Sequence, residues 1–317
     1  MATYCTYFDE GYASRGELMI NSLLAVEPQA KIWVLAMSEN AGRHVRDRLG
    51  PQVTTVSLAE FEKTRPDIAR TRSERSRMEY MFTCTAGWTR YVMDHGARQG
   101  EWVTYLDADL YFFRSPSVIY GDLEEGSVGL VPHHFAWLRP DLKRYGRFNV
   151  GWVSFRMDQD GQRCARWWDD RCVEWCFDRV EPGRFADQKY LDVLPGMTDR
   201  LVVLNRRGVN AAPWNIIGQK IEADALGPLL DGEPLIFFHY HGIKQRKDRF
   251  YLRNWYYGAR PSSSVRNILY RPYLTQLSQV DREIGRSSMS ARSRTRSEVR
   301  ADLGLVASRV SGDSLTL

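Results

Sequence analysis

At 317 residues, with 44 Lys and Arg against 39 Asp and Glu, the chain is long enough for a full core and carries a net charge of only +5. That balance, with no helix-turn-helix, zinc-finger or RNP pattern, excludes a dedicated nucleic-acid binder and leaves anionic small molecules or an acidic membrane surface as partners. No apolar run approaches the ~20 residues of a membrane span, no secretory signal pattern is visible, and five cysteines without C-x-x-C pairing point to free thiols in a reducing cytoplasm.

Thr3 to Phe8 reads as a first strand, followed by Asp9, Glu10, Gly11 and Tyr12. Leu18, Met19, Leu23 and Val26 then fall at helical spacing, and Pro28 ends that helix. Lys31 to Met37 is a second strand, a polar helix runs through Val45 to Leu49, Val53 to Val56 is a third strand, and Leu58 to Lys63 turns helical again. This β-α-β-α-β alternation predicts an α/β fold with a doubly wound, mostly parallel sheet. The opening lacks G-x-G-x-x-G and no Walker A pattern follows, so neither a dinucleotide fold nor a P-loop is supported.

After an Arg-rich stretch, Arg65 to Arg77, a helix is expected over Met78 to Met93, leading into Glu101 to Phe113, EWVTYLDADLYFF. Its apolar residues predict a buried central strand. Side-chain alternation along such a strand would send Asp107 and Asp109 to the same side, at the carboxyl end where open α/β sheets bind ligands. Two like charges beside a core need an opposing charge. A divalent cation, Mg2+ or Mn2+, supplies it, and the usual company of such a pair is a phosphate-bearing substrate.

Further strands are expected at Ser127 to Val131 and Phe148 to Phe155, the latter around Gly151, where a glycine marks a close approach. Cys164, Trp168, Cys172 and Cys176 read as one buried helix face. Arg184 to Leu194 opens another helix with Asp187 and Gln188 near its start. Short strands at Leu201 to Leu204 and Leu235 to Phe238 follow, the second running into His239, Tyr240, His241, Gly242 and Lys244. Beyond Arg260 the pattern weakens, so residues 1–260 are expected as the main domain and 261–317 as an extension. That extension is Arg/Ser-rich and flexible from about 285, its charges lying between Arg286 and Arg300.

The succession LDAD, FNVGWVSF, ADQKYL and FHYHG, behind an opening TYFDEGYASRGELMINSL, resembles the GT-A glycosyltransferases, and more narrowly bacterial relatives of the retaining galactosyltransferase and glycogenin group. The resemblance spans about residues 3 to 245. It implies a Rossmann-like GT-A sheet and transfer of a sugar from a nucleotide-diphospho-sugar, a UDP-sugar first, to a glycan or glycolipid acceptor, with retention of configuration. It implies that Asp107 and Asp109 hold Mn2+ or Mg2+ together with His239 or His241. Gly242 and Lys244 would approach the diphosphate, Asn149 and Gly151 would line the sugar side, and Asp187 and Gln188 would bind sugar hydroxyls near the anomeric carbon. Asp9, Tyr12 and Arg77 would face the nucleotide. The chain departs from those relatives after Gly242. They place Lys three residues on and then Pro-Trp, whereas here Lys244 stands two residues on and Gln-Arg-Lys follows, which leaves Lys244, Arg246 or Lys247 for the role.

Competing expectations are a sugar-phosphate nucleotidyltransferase, a non-catalytic carbohydrate-binding protein and, disfavoured because LDAD sits a third of the way along, a haloacid-dehalogenase-type phosphatase. The expected location is cytoplasmic, with at most peripheral contact at the inner face of a membrane.

Overall fold

The computed structural model describes residues 2–246, 249–285 and 313–316. Its first part follows the expected alternation: β1 (Ala2–Phe8), α1 (Ala13–Val26), β2 (Lys31–Ala36), α2 (Glu39–Arg48), β3 (Val53–Ser57) and α3 (Leu58–Thr64). Ser38 and Ser57 start α2 and α3, each hydroxyl accepting from an N–H three residues on at 3.2 Å.

The basic stretch that the sequence pattern left unassigned is helical from Pro66 to Thr71 (α4), with proline in its first turn, where a missing N–H costs nothing. Arg65 beside it reaches the fully buried Asp169 at 2.9 Å, which Arg90 also meets at 3.1 Å. Helix α5 (Arg77–Gly96) begins with a reciprocal Ser76–Glu79 capping box.

The central stretch differs from its expectation. Strand β4 (Trp102–Leu106) stops before the acids; Asp107 to Asp109 form a turn, and a separate short strand, β5 (Leu110–Phe112), resumes behind it. The carboxylates therefore converge through a turn closed by Leu110 N–H donating to Asp107 O (3.4 Å), rather than through strand alternation.

Helix α6 (Ser117–Asp122), β6 (Val128–Pro132), β7 (Phe148–Arg156), α7 (Gln159–Glu174) and β8 (Leu201–Val203) complete the main layers. Among the described residues the main sheet has seven strands in the order β3-β2-β1-β4-β7-β6-β8, and β7 alone runs antiparallel to its neighbours. It is a mixed, mostly parallel sheet with helices on both faces. Cys164, Trp168 and Cys172 share the buried face of α7, while Cys176 is buried just past its end. Asp187 and Gln188 do not open an α-helix; they lie in a turn ahead of a 3-10 segment, Lys189–Gly196.

Short strands β9 (Ile221–Asp224), β10 (Gly227–Leu230) and β11 (Glu233–Pro234) make a small antiparallel sheet. Strand β12 (Phe237–His239) pairs antiparallel with β5, setting His239 opposite Leu110. Behind it, β13 (Lys244–Arg246) and β14 (Arg249–Tyr251) form a hairpin that continues into β15 (Ser314–Thr316).

Between residues 261 and 285 the chain packs onto the main domain. A π-helical turn, Val265–Tyr270, runs into α8 (Arg271–Glu283), whose Tyr273, Leu274, Leu277 and Val280 are buried in one cluster with Leu18, Phe238 and Tyr240. The Arg/Ser-rich segment from Arg286 to Arg300, expected to be flexible, and Lys247 lie outside the described residues. No helix among the described residues is long and apolar enough to cross a membrane.

Candidate active site

Pairing of β5 with β12 builds the site. With His239 opposite Leu110 and Tyr240 N–H donating to Asp109 O (2.9 Å), the His-Tyr-His segment is drawn against the acid turn at the carboxyl end of β4. His239 Nε2 then stands 3.0 Å from Asp109 Oδ1 and 3.6 Å from Asp107 Oδ2. Asp109, His239 and His241 each offer a ligand atom, all within 4.8 Å of one another.

Burial alone raises the pKa of both carboxyls. At Asp109 the adjoining His239 outweighs it and holds the group below its ordinary range, whereas Asp107, facing Asp109's charge as well, ends above it. Burial lowers the pKa of His239, but the two carboxylates more than offset this and leave it raised. His241 is pushed down to about 4 by burial and by its histidine neighbour, so it is a neutral imidazole.

The residues fit a divalent cation. His239 Nε2 is buried and makes no hydrogen bond, although a carboxylate oxygen lies close, off the N–H direction. Its other nitrogen, Nδ1, stands 3.4 Å from Asn210 Oδ1, an oxygen that can only accept, so Nδ1–H is directed there and Nε2 is the nitrogen turned to the acids, where a cation would take a proton's place. Two imidazoles, a low-pKa carboxylate and a second acid make a mixed nitrogen and oxygen set for a divalent cation, which departs from the all-oxygen set that Mg2+ prefers. His241 thus joins His239 in the cluster.

A buried amide network supports this corner. Asn210 donates through Nδ2 to Asn149 Oδ1 (3.2 Å), which also accepts from Gly151 N–H (3.0 Å). Asn149 Nδ2 donates to Gln188 Oε1 (3.2 Å) and lies 3.3 Å from His133 Nε2, while Gln188 Nε2 donates to Tyr145 O (3.1 Å). Gly151 serves the histidine: a Cβ there would come within 2.8 Å of His239 Nδ1 and 2.5 Å of Asn149 Oδ1. Asp187 is buried beside Thr85, and burial, with a smaller contribution from Asp107, pushes its carboxyl up to about 7.

At the end of β1, Asp9 Oδ1 accepts from Tyr12 N–H (3.1 Å), and Asp9 Oδ2 pairs with the exposed Arg77 at 2.7 Å. Arg15 lies over the Tyr12 ring (4.9 Å to its centre) and donates to Ile243 O (3.1 Å), joining this end to the segment after Gly242. Gly242 has a φ of +76°, and a Cβ there would meet Arg253 Cδ at 3.0 Å. Lys244 is exposed, and partial desolvation with the charges of Arg253 and Arg246 holds its pKa below the ordinary value.

Sequence reasoning missed Arg15, Asn210, Trp214 and Arg253. Trp214 packs edge-on against both His239 (5.1 Å) and His241 (5.6 Å). Arg253 reaches Gly242 only because a hairpin intervenes, so no fixed spacing announces it. Asn210 carried one signal, an Asn in a loop able to hold a left-handed φ, here +58°.

Two Bacillus subtilis proteins are similar in sequence. The uncharacterized protein YfnF is 30% identical over 252 residues, covering 77% of this chain and 82% of its own. The uncharacterized protein YfnD is 27% identical over 265 residues, covering 82% and 83%. Among solved structures, the galactosyltransferase LgtC in complex with donor and acceptor sugar analogues matches with a TM-score of 0.53 over 92% of this chain and 97% of that one, at 14% identity, which shows a shared GT-A fold. No protein-family model matches the chain.

Proposed function

This chain belongs to the family of Bacillus subtilis YfnF and has the GT-A fold, and from that premise we propose that it transfers a sugar from a nucleotide-diphospho-sugar to a glycan or glycolipid acceptor. The observation that carries the reading is the cluster of buried Asp109 and His239 with half-buried His241, and Asp107 beside it, at the carboxyl end of the central strand. A divalent cation held by these groups, Mn2+ or Mg2+, would neutralise charge building on a diphosphate leaving group.

The surrounding residues divide the donor between them. Asp9, Tyr12 and Arg77 border the nucleotide, with UDP the first candidate. Gly242 leaves room for the diphosphate, and Lys244 and Arg253 supply the opposing charge. Asp187, its carboxyl pushed up to about 7 by burial, can donate to a sugar hydroxyl when protonated or accept from one when ionised. Gln188, Asn149 and Gly151 hold one another and His239 in place, so they shape the sugar wall chiefly by orientation. The resemblance to retaining enzymes favours retention, with the leaving phosphate taking the acceptor proton on the same face. A cytoplasmic enzyme of surface-polysaccharide or glycolipid assembly, with at most peripheral membrane contact, fits this chemistry.

The test is a panel of UDP-, GDP- and dTDP-sugars with Mn2+, scored for released nucleoside diphosphate. Pyrophosphate release instead would identify a nucleotidyltransferase, and no turnover with sugar binding intact a carbohydrate-binding protein. Proton NMR of the first-formed anomer decides retention, and an inverted linkage rejects it.

A further inference from the structure

Residues 133–147, between β6 and β7, border the site without entering the metal corner. The segment is anchored on both sides of it. Ala136 N–H donates to the backbone oxygen of Trp214 (3.2 Å), the ring that packs on both histidines, and Tyr145 O accepts from Gln188 Nε2 (3.1 Å). Between these anchors Leu142 is buried against Trp214 and Tyr257, while Trp137, Leu138, Lys143 and Arg144 face solvent. Trp137 is 83% exposed, more than any other large apolar side chain among the described residues. A solvated indole costs stability to leave uncovered and is a ready platform for the apolar face of a sugar ring.

Charge adds a second, independent feature. Lys143, Arg144 and Arg147 are all exposed, and among the described residues no carboxylate forms an ion pair with them. The segment's one acid, Asp141, is taken by both prongs of Arg139 at 2.8 Å. Arg144 and Arg147 lie over the rings of Tyr145 (4.9 Å) and Phe148 (4.8 Å), an arrangement that holds guanidinium groups up toward solvent.

We infer that residues 137–147 form the acceptor subsite, and that the acceptor is an anionic saccharide, its ring on Trp137 and its carboxylate or phosphate against Lys143, Arg144 and Arg147. The inference rests on the glycosyl-transfer reading above and names the substrate class for that site. Planar guanidinium groups pair with carboxylate and phosphate alike, so the structure specifies the charge and the ring, and experiment separates the two sources.

The test titrates the purified full chain with uronate-containing disaccharides, 6-phosphorylated disaccharides and their neutral counterparts, following binding by calorimetry. UDP binding with Mn2+ is measured on the same proteins. One acidic set is expected to bind about tenfold tighter than its neutral partner, a preference that weakens with salt. Trp137→Ala should weaken acidic and neutral ligands together by about fivefold, the size of one lost stacking contact. A Lys143→Ala, Arg144→Ala, Arg147→Ala variant should lose the preference for acid and leave neutral binding as it was. UDP binding should stay the same in both variants. Equal binding of acidic and neutral sugars, no binding of any, or variants that behave like the parent would overturn the inference. Failure of UDP to bind, with the saccharide pattern intact, would count against the donor reading alone.

Discussion

Asn210 Oδ1 lies 3.4 Å from His239 Nδ1 while the same side chain donates to Asn149 Oδ1 at 3.2 Å, so one buried amide joins the acid–histidine cluster to the Asn149–Gln188 network. It does so from a left-handed backbone position, φ +58°, that Asn tolerates and most residues do not. Glycine tolerates it too. Asn210→Gly therefore removes both bonds without adding backbone strain, whereas Asn210→Ala would mix the two effects. Mn2+ affinity in the glycine variant, followed by calorimetry, is expected to fall ~10- to 100-fold, as when a histidine ligand loses the partner of its other nitrogen. Unchanged affinity would show that His239 is oriented by its ring contacts alone.

Gly151 gives a steric version of the same argument. Adding one methyl group brings a carbon to 2.8 Å from His239 Nδ1 and 3.0 Å from Cε1, closer than real contacts allow. The ring must swing away from the acids. Gly151→Ala is expected to keep the fold, because β7 needs only a residue with strand geometry there, and to lose measurable Mn2+ binding. Tight Mn2+ binding in that variant would mean that His239 is not a ligand.

Asp109 is the acid whose charge the site favours, so its removal is the sharpest test of the cation. A cation present at 100 times its Kd should stabilise the folded chain by about 2.7 kcal/mol. Asp109→Asn is expected to abolish that thermal shift and all metal-dependent turnover. Cooperative unfolding should survive, since the change also ends the repulsion that adds to burial in raising the pKa of Asp107. Turnover at the parent rate would refute a role for Asp109.

The arrangement of β1 to β3 was legible because apolar residues alternate cleanly between strand and helical periods, and each helix opens at a Ser or turn. Asp107 and Asp109 were legible as a pair but not in their geometry: side-chain alternation argued for one strand, while they lie on a turn between two. What failed to show were features created by distant pairings. Arg65 finds Asp169 across 104 residues, β12 finds β5 across more than 120, and Arg253 reaches Gly242 only past a hairpin. Helix α8 is a different case. Leu269, Tyr273, Leu277 and Val280 recur at helical spacing, a signal present in the sequence and obscured by the polar residues around it.

Glu17 sets an expected pH dependence far from the site. Its buried carboxylate accepts from Arg48 at 2.7 and 2.8 Å and lies 2.9 Å from His44, while Arg48 also reaches Glu283, so the group links α1, α2 and α8. Burial raises its pKa, but His44 and Arg48 outweigh burial and leave it below 4.5. A folded pKa below the unfolded one means that the folded state binds fewer protons. The stabilisation is therefore complete above the unfolded value and is lost as pH falls through the folded one. Glu17→Gln should cost ~2 kcal/mol at pH 7, with the gap to the parent closing as both are acidified below about pH 4. Urea unfolding at the two pH values measures it, and a gap independent of pH would assign the cost to packing instead.

Helix α8 decides whether the first 260 residues form a folding unit. Its Tyr273 ring stacks on Tyr240 at 3.7 Å and 3°, directly behind the histidine segment, and Leu274 and Leu277 close the cluster around Leu18 and Phe238. Removing everything past residue 260 would leave those side chains facing water on the strand that presents His239. Such a fragment is expected to unfold without cooperativity and to bind no Mn2+. Leu277→Ala, a milder change in the full chain, should cost ~2–5 kcal/mol of unfolding free energy, with Mn2+ affinity near that of the parent, since Leu277 touches the site only through the tyrosines. A fragment of residues 1–260 that melts sharply would support the boundary at 260 and make α8 an accessory.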